Sequence, residues 1–300
     1  MKSALIRLHA AVFLWGFTGV LGRLISLNEG WLVWWRLLLT VIFLWLFFWW
    51  KGEIKRIDTR GFLKIGAIGT ILALHWLFFY GSIKYSNVSI ALTCLATSGL
   101  LSAIIEPLFF RKRINPMELV LGLFALAGIG IIYLSNLSFS SGIYIGLIAA
   151  LLTVTVSVLN KKMVNGYEPN TITLYQLTGG FLGLTVLMPL YHYLFPTDAI
   201  LPVKWDWAWL LVLSIVCTIF TFILYIAALK KLSAFTMNLT LTLEPVYGVL
   251  LAFAIFHENE SFNVNFYIGF LLILLAVVLQ MMRIVIQARK TKRANILYTT

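Results

Sequence analysis

The sequence predicts an all-α integral membrane protein, with ten transmembrane helices in two inverted five-helix repeats. Three observations carry this prediction. Of the 300 residues, 61% are hydrophobic and only 11% are charged, and the mean hydropathy is +0.95, more apolar surface than a water-soluble core absorbs. The apolar residues fall into runs of about 20, the length a helix needs to cross a bilayer. Finally, two loops at equivalent places carry opposite charge: Arg111-Lys112-Arg113 follows the fourth run, and His257-Glu258-Asn259-Glu260 follows the ninth. Cytoplasmic loops are enriched in Lys and Arg, so the two loops belong on opposite faces of the membrane. Halves of five spans produce that result, because an odd number of crossings turns the second half upside down.

The spans follow in order. The first, 4–25, comes after Lys2 and Arg7 and could be mistaken for a signal peptide, but no small-x-small cleavage site ends it and its loss would leave nine spans. Span two, 31–50, carries Arg36 beside Trp31, Trp34 and Trp35 at the depth of an aromatic belt. Span three, 62–83, has His75 at mid-depth, and the short hinge Ser82-Ile83-Lys84-Tyr85 follows. Span four, 86–110, presents the small, weakly polar surface Thr97, Ser98, Gly99 and Ser102, then Glu106-Pro107 near its basic end. Span five, 116–135, has Gly122 early, and span six, 142–160, ends at Asn160 before Lys161-Lys162. Span seven, 170–195, holds Tyr175 and Gln176 and then Gly179, Gly180 and Gly183, which allow close helix approach. Span eight, 207–229, contains Tyr225 and ends in a second hinge, Ala228-Leu229-Lys230-Lys231. Span nine, 233–256, carries Glu244 near its middle, and span ten, 264–287, has Gly269 early. The repeats are thus expected at 1–138 and 139–288, with a basic cytoplasmic tail at 289–300. Cys94 and Cys217 lie within apolar runs, where free cysteines pack as small hydrophobes.

Charge tests this layout independently. With the N-terminus in the cytoplasm, nineteen Lys and Arg residues fall on the inner side and three, Arg23, Lys84 and Lys204, on the outer. The net charge of +12 therefore reports orientation and contact with anionic headgroups. Nucleic acid is not expected as a partner, since no basic and aromatic surface exists outside the spans. The expected location is the inner (cytoplasmic) membrane, multi-pass, with both termini cytoplasmic. An offset of 146 residues superposes the two hinges, brings Lys112 opposite Glu258, and leaves Gly122 and Gly269 within one residue of each other.

Four features, in this order and spacing, resemble the EamA-type transporters of the drug/metabolite transporter superfamily over essentially the whole length. They are Leu14-Trp15-Gly16, Trp35-Arg36, the two Ile/Leu-Lys hinges, and Leu243-Glu244-Pro245-Val246 followed by Glu258. The resemblance implies two five-helix repeats of inverted topology, a central cavity, and movement of small metabolites, often amino acids or related compounds outward. The chain departs from a symmetric pattern: Ser98-Gly99 stands where the second half has Glu244-Pro245, and Gln176 stands where the first half has Arg36.

Glu244 leads the candidate site residues. A charge at mid-membrane costs roughly 2.5–3.5 kcal/mol on insertion scales, so such a residue usually faces a cavity or a partner and marks a solute or proton pathway. It is a candidate proton carrier, an electrostatic partner for a substrate amine, or both; the plain alternative is a protonated Glu bonded to a neighbouring helix. Pro245 has no N–H to bond the Leu241 carbonyl, which frees an acceptor on the preceding turn. Thr240, Glu244 and Tyr247 share a helix face. His75 is a candidate for gating or proton relay because imidazole titrates in the physiological range, or else a neutral His bonded to a nearby group. Trp15, Tyr80, Tyr175 and Tyr225 rank highest among the aromatics as solute contacts, with Ser98 and Gln176 as polar ones. Arg36 is expected to snorkel outward, to close an external gate with Glu29, or to bind a solute carboxylate.

An intramembrane enzyme would need a nucleophile and base or a metal set at helical spacing. The four histidines sit in separate segments, His257-Glu258 has no second histidine four residues after the first, and no phosphate-binding loop pattern occurs. The expectation is therefore a secondary transporter working by alternating access on small amphipathic solutes. Amino acids lead, and proton coupling is a further expectation. The alternatives are an uptake permease, an exporter of nucleobases or drug-like amines, or, further off, a channel or structural membrane protein. No cofactor and no metal are expected; the expected partners are the solute, the bilayer and protons, in a monomer or homodimer.

Overall fold

The computed structural model describes residues 2–297 apart from 112, 114, 136, 165, 230–231, 233–239 and 242. Lys112 and the Lys230-Lys231 part of the second hinge lie outside the described residues, as does the start of the expected ninth span. The described elements are helices. In the first half they are α1 (Lys2–Leu24), α2 (Glu29–Trp50), α3 (Thr59–Tyr85), α4 (Val88–Ala96), α5 (Ser98–Phe109) and α6 (Pro116–Ser135). In the second half α7 (Ser140–Met163) and α8 (Pro169–Leu194) are followed by α9 (Asp206–Leu211), a π-helical stretch (Val212–Phe220) and α10 (Thr221–Leu229). Then come α11 (Glu244–Phe256) and α12 (Val264–Leu297). Among the described residues, eight candidate spans are long and apolar enough to cross a membrane, α4 and α5 together forming one; Glu244–Phe256 and Val264–Gln280 are shorter apolar helices. α12 runs ten residues beyond the 264–287 expected from hydropathy. Its 34 residues rise about 51 Å, more than a hydrocarbon core needs.

Local chemistry sets the helix boundaries. Asn28 caps α2 by accepting from Trp31 N at 3.0 Å, Asp58 caps α3 from Gly61 N at 3.3 Å, and Asn87 caps α4 from Ile90 N at 2.9 Å, each relieving an orphan donor of a first turn. Pro116 and Pro169 open α6 and α8, where a missing N–H does no harm. α11 stops at His257, which is left-handed at φ 52°.

The expected fourth span is interrupted, and the described part of the expected ninth is interrupted at the equivalent position. α4 gives way to α5 at Thr97 (φ −71°, ψ −13°), and α11 begins after Leu243 (φ −84°, ψ −9°). Thr97 and Leu243 are 146 residues apart, the same offset that superposes the hinges. Thr97 Oγ1 donates to the Cys94 carbonyl at 2.6 Å, occupying an acceptor at the break.

The packing has a two-fold pattern. α3 lies against α7 as the π stretch and α10 lie against α1; α4 and α5 lie against α7 as α11 lies against α1. α2 with α8, α4 with α11 and α6 with α12 are pairs that exchange of the halves leaves unchanged. Glycines set the closest approaches. A Cβ on Gly179 would overlap the backbone of Gly66, and one on Gly69 would overlap the Gln176 carbonyl and lie 2.8 Å from Gly180 N. On α6 and α12 the facing pair is Gly128 with Gly269, whereas Gly122 faces open space.

Candidate functional site

A cavity of about 420 Å³ lies between the two halves. The first half contributes Trp15 and Thr18 from α1, Arg36 from α2, and His75, Trp76 and Phe79 from α3. The second contributes Asn160 from α7, Gln176 from α8, Thr218 from the π stretch, Tyr225 from α10 and Glu244 at the start of α11. Arg36 and Gln176, which occupy equivalent places in the two repeats, therefore meet in one cavity. A second cavity of about 300 Å³ shares Leu44, Ile219 and Phe222 with the first and is otherwise lined by residues such as Arg7, Lys51, Glu53 and Asn170. The central space thus adjoins the basic end of the bundle.

Arg36 sits seven residues into α2, about 10 Å from the helix start, and is only 3% exposed. Its Nη1 donates to Tyr80 Oη at 2.9 Å and its Nη2 to Thr218 Oγ1 at 3.1 Å. The guanidinium carbon stands 3.9 Å from the centroid of the Trp76 ring, a cation–π arrangement. Its Nε is buried without a hydrogen-bond partner among the described residues. The π stretch makes this cradle: Thr218 Oγ1 and Thr221 Oγ1 donate to carbonyls five residues back, Leu213 O at 2.9 Å and Val216 O at 2.8 Å, while Ser214 Oγ donates to the Arg36 carbonyl at 3.2 Å. π segments frequently mark functional sites because they redirect side chains that a regular helix would turn away.

Glu244 is placed by the helix break and by Gly16. A Cβ on Gly16 would lie 2.9 Å from Gly248 N and 3.0 Å from Glu244 O, so only glycine lets α1 come this close to the first turn of α11, while the adjacent Trp15 reaches the cavity and packs 5.5 Å from Tyr225. Among the described residues no ion pair joins Arg36 to Glu244. Arg36 and Glu244 are the charged groups of opposite sign among the described lining residues. His75 is buried, with Nδ1 2.8 Å from the Ala149 carbonyl; because a carbonyl only accepts, Nδ1 carries the proton and Nε2 remains. Asn160 Oδ1 is another buried lining atom without a partner among the described residues.

Of the sequence candidates, Trp15, Arg36, His75, Gln176, Tyr225 and Glu244 line the cavity. The others lie elsewhere. Tyr80 is fully buried behind Arg36. Tyr247 faces α1, its hydroxyl 3.0 Å from His9 Nδ1. Tyr175 donates to the Lys55 carbonyl at 2.9 Å at the basic end. Thr240 is buried, Ser98 opens α5, and Pro245 occupies the first turn of α11. Arg36 and Glu29 do not meet, since Glu29 accepts from Tyr191 Oη at 3.0 Å. Glu106 pairs with Lys161 instead of entering the cavity. Sequence reasoning passed over Thr18, Thr153, Thr173 and Thr218; an uncharged hydroxyl in an apolar run carries no signal of which way it faces.

The end of the bundle away from the basic cavity is tied by polar contacts. Glu258, 4% exposed, accepts from Val88 N at 3.0 Å and Ser89 N at 2.8 Å and pairs with Arg23. One carboxylate thus caps α4, where a helix N-terminus favours negative charge, and holds α1 to it. Asp206 accepts from Ser26 N at 2.9 Å, and Lys84 donates to the Ile25 carbonyl. Glu258→Gln is expected to destabilise the protein by about 1–3 kcal/mol, through loss of a charged acceptor for buried donors. A double-mutant cycle with Arg23→Gln, read by thermal denaturation in detergent, should give a coupling of at least about 0.5 kcal/mol; additive losses would show that Arg23 contributes nothing to the tie.

The comparisons with known proteins agree in kind. The EamA-like transporter family model matches residues 2–134 and again 140–282. An uncharacterized transporter of Bacillus subtilis (strain 168), YxxF, is 25% identical over 258 residues, 83% of this chain and 81% of that protein. An uncharacterized transporter of Synechocystis sp., sll1164, is 21% identical over 211 residues, 67% of this chain and 59% of that one. A solved crystal structure at 16% identity superposes with a TM-score of 0.59 over 92% of this chain and 96% of the other, a likeness of fold alone.

Proposed function

The chain belongs to the EamA-like transporter family of the drug/metabolite transporter superfamily, and on that premise we propose that it is a secondary transporter. In this reading it moves small amphipathic solutes, amino acids foremost, outward across the inner membrane by alternating access. The observation that carries the reading is the central cavity, walled by both repeats and lined by Glu244 and by the buried Arg36. Intramembrane ionisable groups at a repeat interface are how carriers hold a solute near the midplane. The two-fold packing, with matching breaks after Thr97 and Leu243, supports ten spans in inverted halves, and the nineteen-to-three charge bias supports cytoplasmic termini. The cavity adjoins the basic end and the other end is tied through Glu258 and Asp206, which supports an inward-facing conformation.

Proton coupling follows the same logic. A carboxyl that accepts either a proton or a solute ammonium makes the two compete for one site, and such competition exchanges solute for protons. Counterflow of a labelled amino-acid panel into proteoliposomes tests the assignment. Saturable exchange above empty liposomes is expected; absence of exchange together with absence of ligand-induced thermal stabilisation would overturn it.

A further inference from the structure

We propose that the central cavity selects zwitterions, Arg36 binding the carboxylate and Glu244 the ammonium of one solute molecule. The inference rests on the carrier reading above and deepens it. Its geometric basis is the state of the guanidinium. Tyr80 and Thr218 each take one terminal nitrogen and Trp76 lies against the planar face, so the group is fixed in position and plane. The Nε edge is nonetheless left with a buried N–H that nothing among the described residues accepts. A native structure rarely leaves such a donor unpaired, because desolvation without a partner is unfavourable; an acceptor brought by the solute repairs it. A carboxylate is the matching acceptor, since Arg donors form their strongest bonds with planar anions.

The second pole is Glu244, on the same cavity wall system but in the other half of the molecule, without a direct ion pair to Arg36 among the described residues. The fixed charge of the lining is therefore balanced overall yet separated locally. A solute bearing one charge would satisfy one pole and leave the other uncompensated within the membrane, which is costly. A solute bearing both satisfies the two at once and adds no net charge to the membrane interior. The remaining wall, with Trp15, Trp76, Phe79, Phe222 and Tyr225, suits an apolar side chain between the poles. A volume of about 420 Å³ lies toward the small end of ligand cavities.

Counterflow in proteoliposomes tests this with three probes of one skeleton: leucine, isoamylamine, which lacks the carboxylate, and N-acetyl-leucine, which lacks the ammonium. The same set is repeated for phenylalanine, phenethylamine and N-acetyl-phenylalanine. Wild-type protein is expected to exchange at least one amino acid about ten- to hundredfold faster than either singly charged analogue, the range that one charge-assisted bond supplies. Arg36→Gln should lose that advantage over the amine while continuing to exchange the amine, a readout that a merely misfolded variant cannot give. Arg36→Lys, which keeps the charge but not the Nε edge, should recover only part of the preference. Equal exchange of an amine and its amino acid by wild type would overturn the inference and leave the carrier reading intact. So would exchange of non-zwitterionic solutes alone. Failure to exchange any solute would contradict the carrier reading itself.

Discussion

Glu244→Gln is expected to reduce solute counterflow by about tenfold or more, equivalent to roughly 1.4 kcal/mol or more of lost stabilisation of the occupied state, and to flatten its dependence on pH. Gln has the shape of Glu and can still hydrogen-bond, but it neither carries a negative charge to meet an ammonium nor exchanges a proton. The fold should not suffer. A carboxylate within the membrane is unfavourable by roughly 2.5–3.5 kcal/mol on insertion scales, so removing its charge leaves thermal stability unchanged or raises it. That opposition separates a functional role from a structural one. A structural Glu replaced by Gln would lower stability and leave the pH profile of residual transport as in the wild type; initial rates across the neutral range, paired with thermal denaturation of the same preparation, distinguish the two.

Gly179→Leu is expected to have the largest effect on the fold. A Cβ at this position would overlap the Gly66 backbone, and backbone cannot rotate away as a side chain can. α3 and α8 would have to separate, at a cost of about 1–3 kcal/mol or more. Separation would also shift His75 and Gln176, which these same helices hold on the cavity wall. Loss of transport should therefore accompany loss of stability. Gly122→Ala is the control: a Cβ there meets nothing within 4 Å, and alanine favours helix over glycine by up to about 1 kcal/mol. Fluorescence-detected thermal denaturation should rank Gly122→Ala at or above wild type and Gly179→Leu well below it. Equal stability of the two variants would mean that the α3–α8 contact is looser than described.

Much of the architecture was legible because the bilayer imposes simple rules. Run length located the eight described helices long enough to cross a membrane, and the offset of 146 residues relates Thr97 to Leu243 as it relates the two hinges. The breaks at Thr97 and Leu243 were less legible. Pro245 advertises a kink, but Thr97 opens its break through a hydroxyl bond to the Cys94 carbonyl, and threonine does the same inside unbroken helices. That break matters for the site. Placing Thr240, Glu244 and Tyr247 on one face assumes a continuous helix; with α11 starting at Glu244, the carboxyl reaches the cavity while Tyr247 meets His9 on α1. Arg36 was legible as a residue in a costly place, although its partners were not. Its depth follows from α2 starting at Glu29, and the nearby Thr218 is presented by a π stretch, accompanied by hydroxyl bonds five residues back, that leaves no periodic signature. The cavity-lining threonines were invisible for the same reason: side-chain direction within an apolar helix is decided by neighbours that the sequence does not order in space.

The central claim, one solute site exposed alternately to the two sides of the membrane, is tested most directly by the sidedness of labelling. Tyr225→Cys places a thiol at a partly exposed position of the cavity wall, while Cys94 and Cys217 are buried. In oriented vesicles, a membrane-impermeant maleimide is expected to modify this thiol from the cytoplasmic side at rest, and from the outer side only while a transported solute drives turnover, with the solute slowing modification from the cytoplasmic side. Modification from both sides at comparable rates without solute would contradict alternating access and identify a channel; protection by no transported solute would place the solute path elsewhere in the molecule.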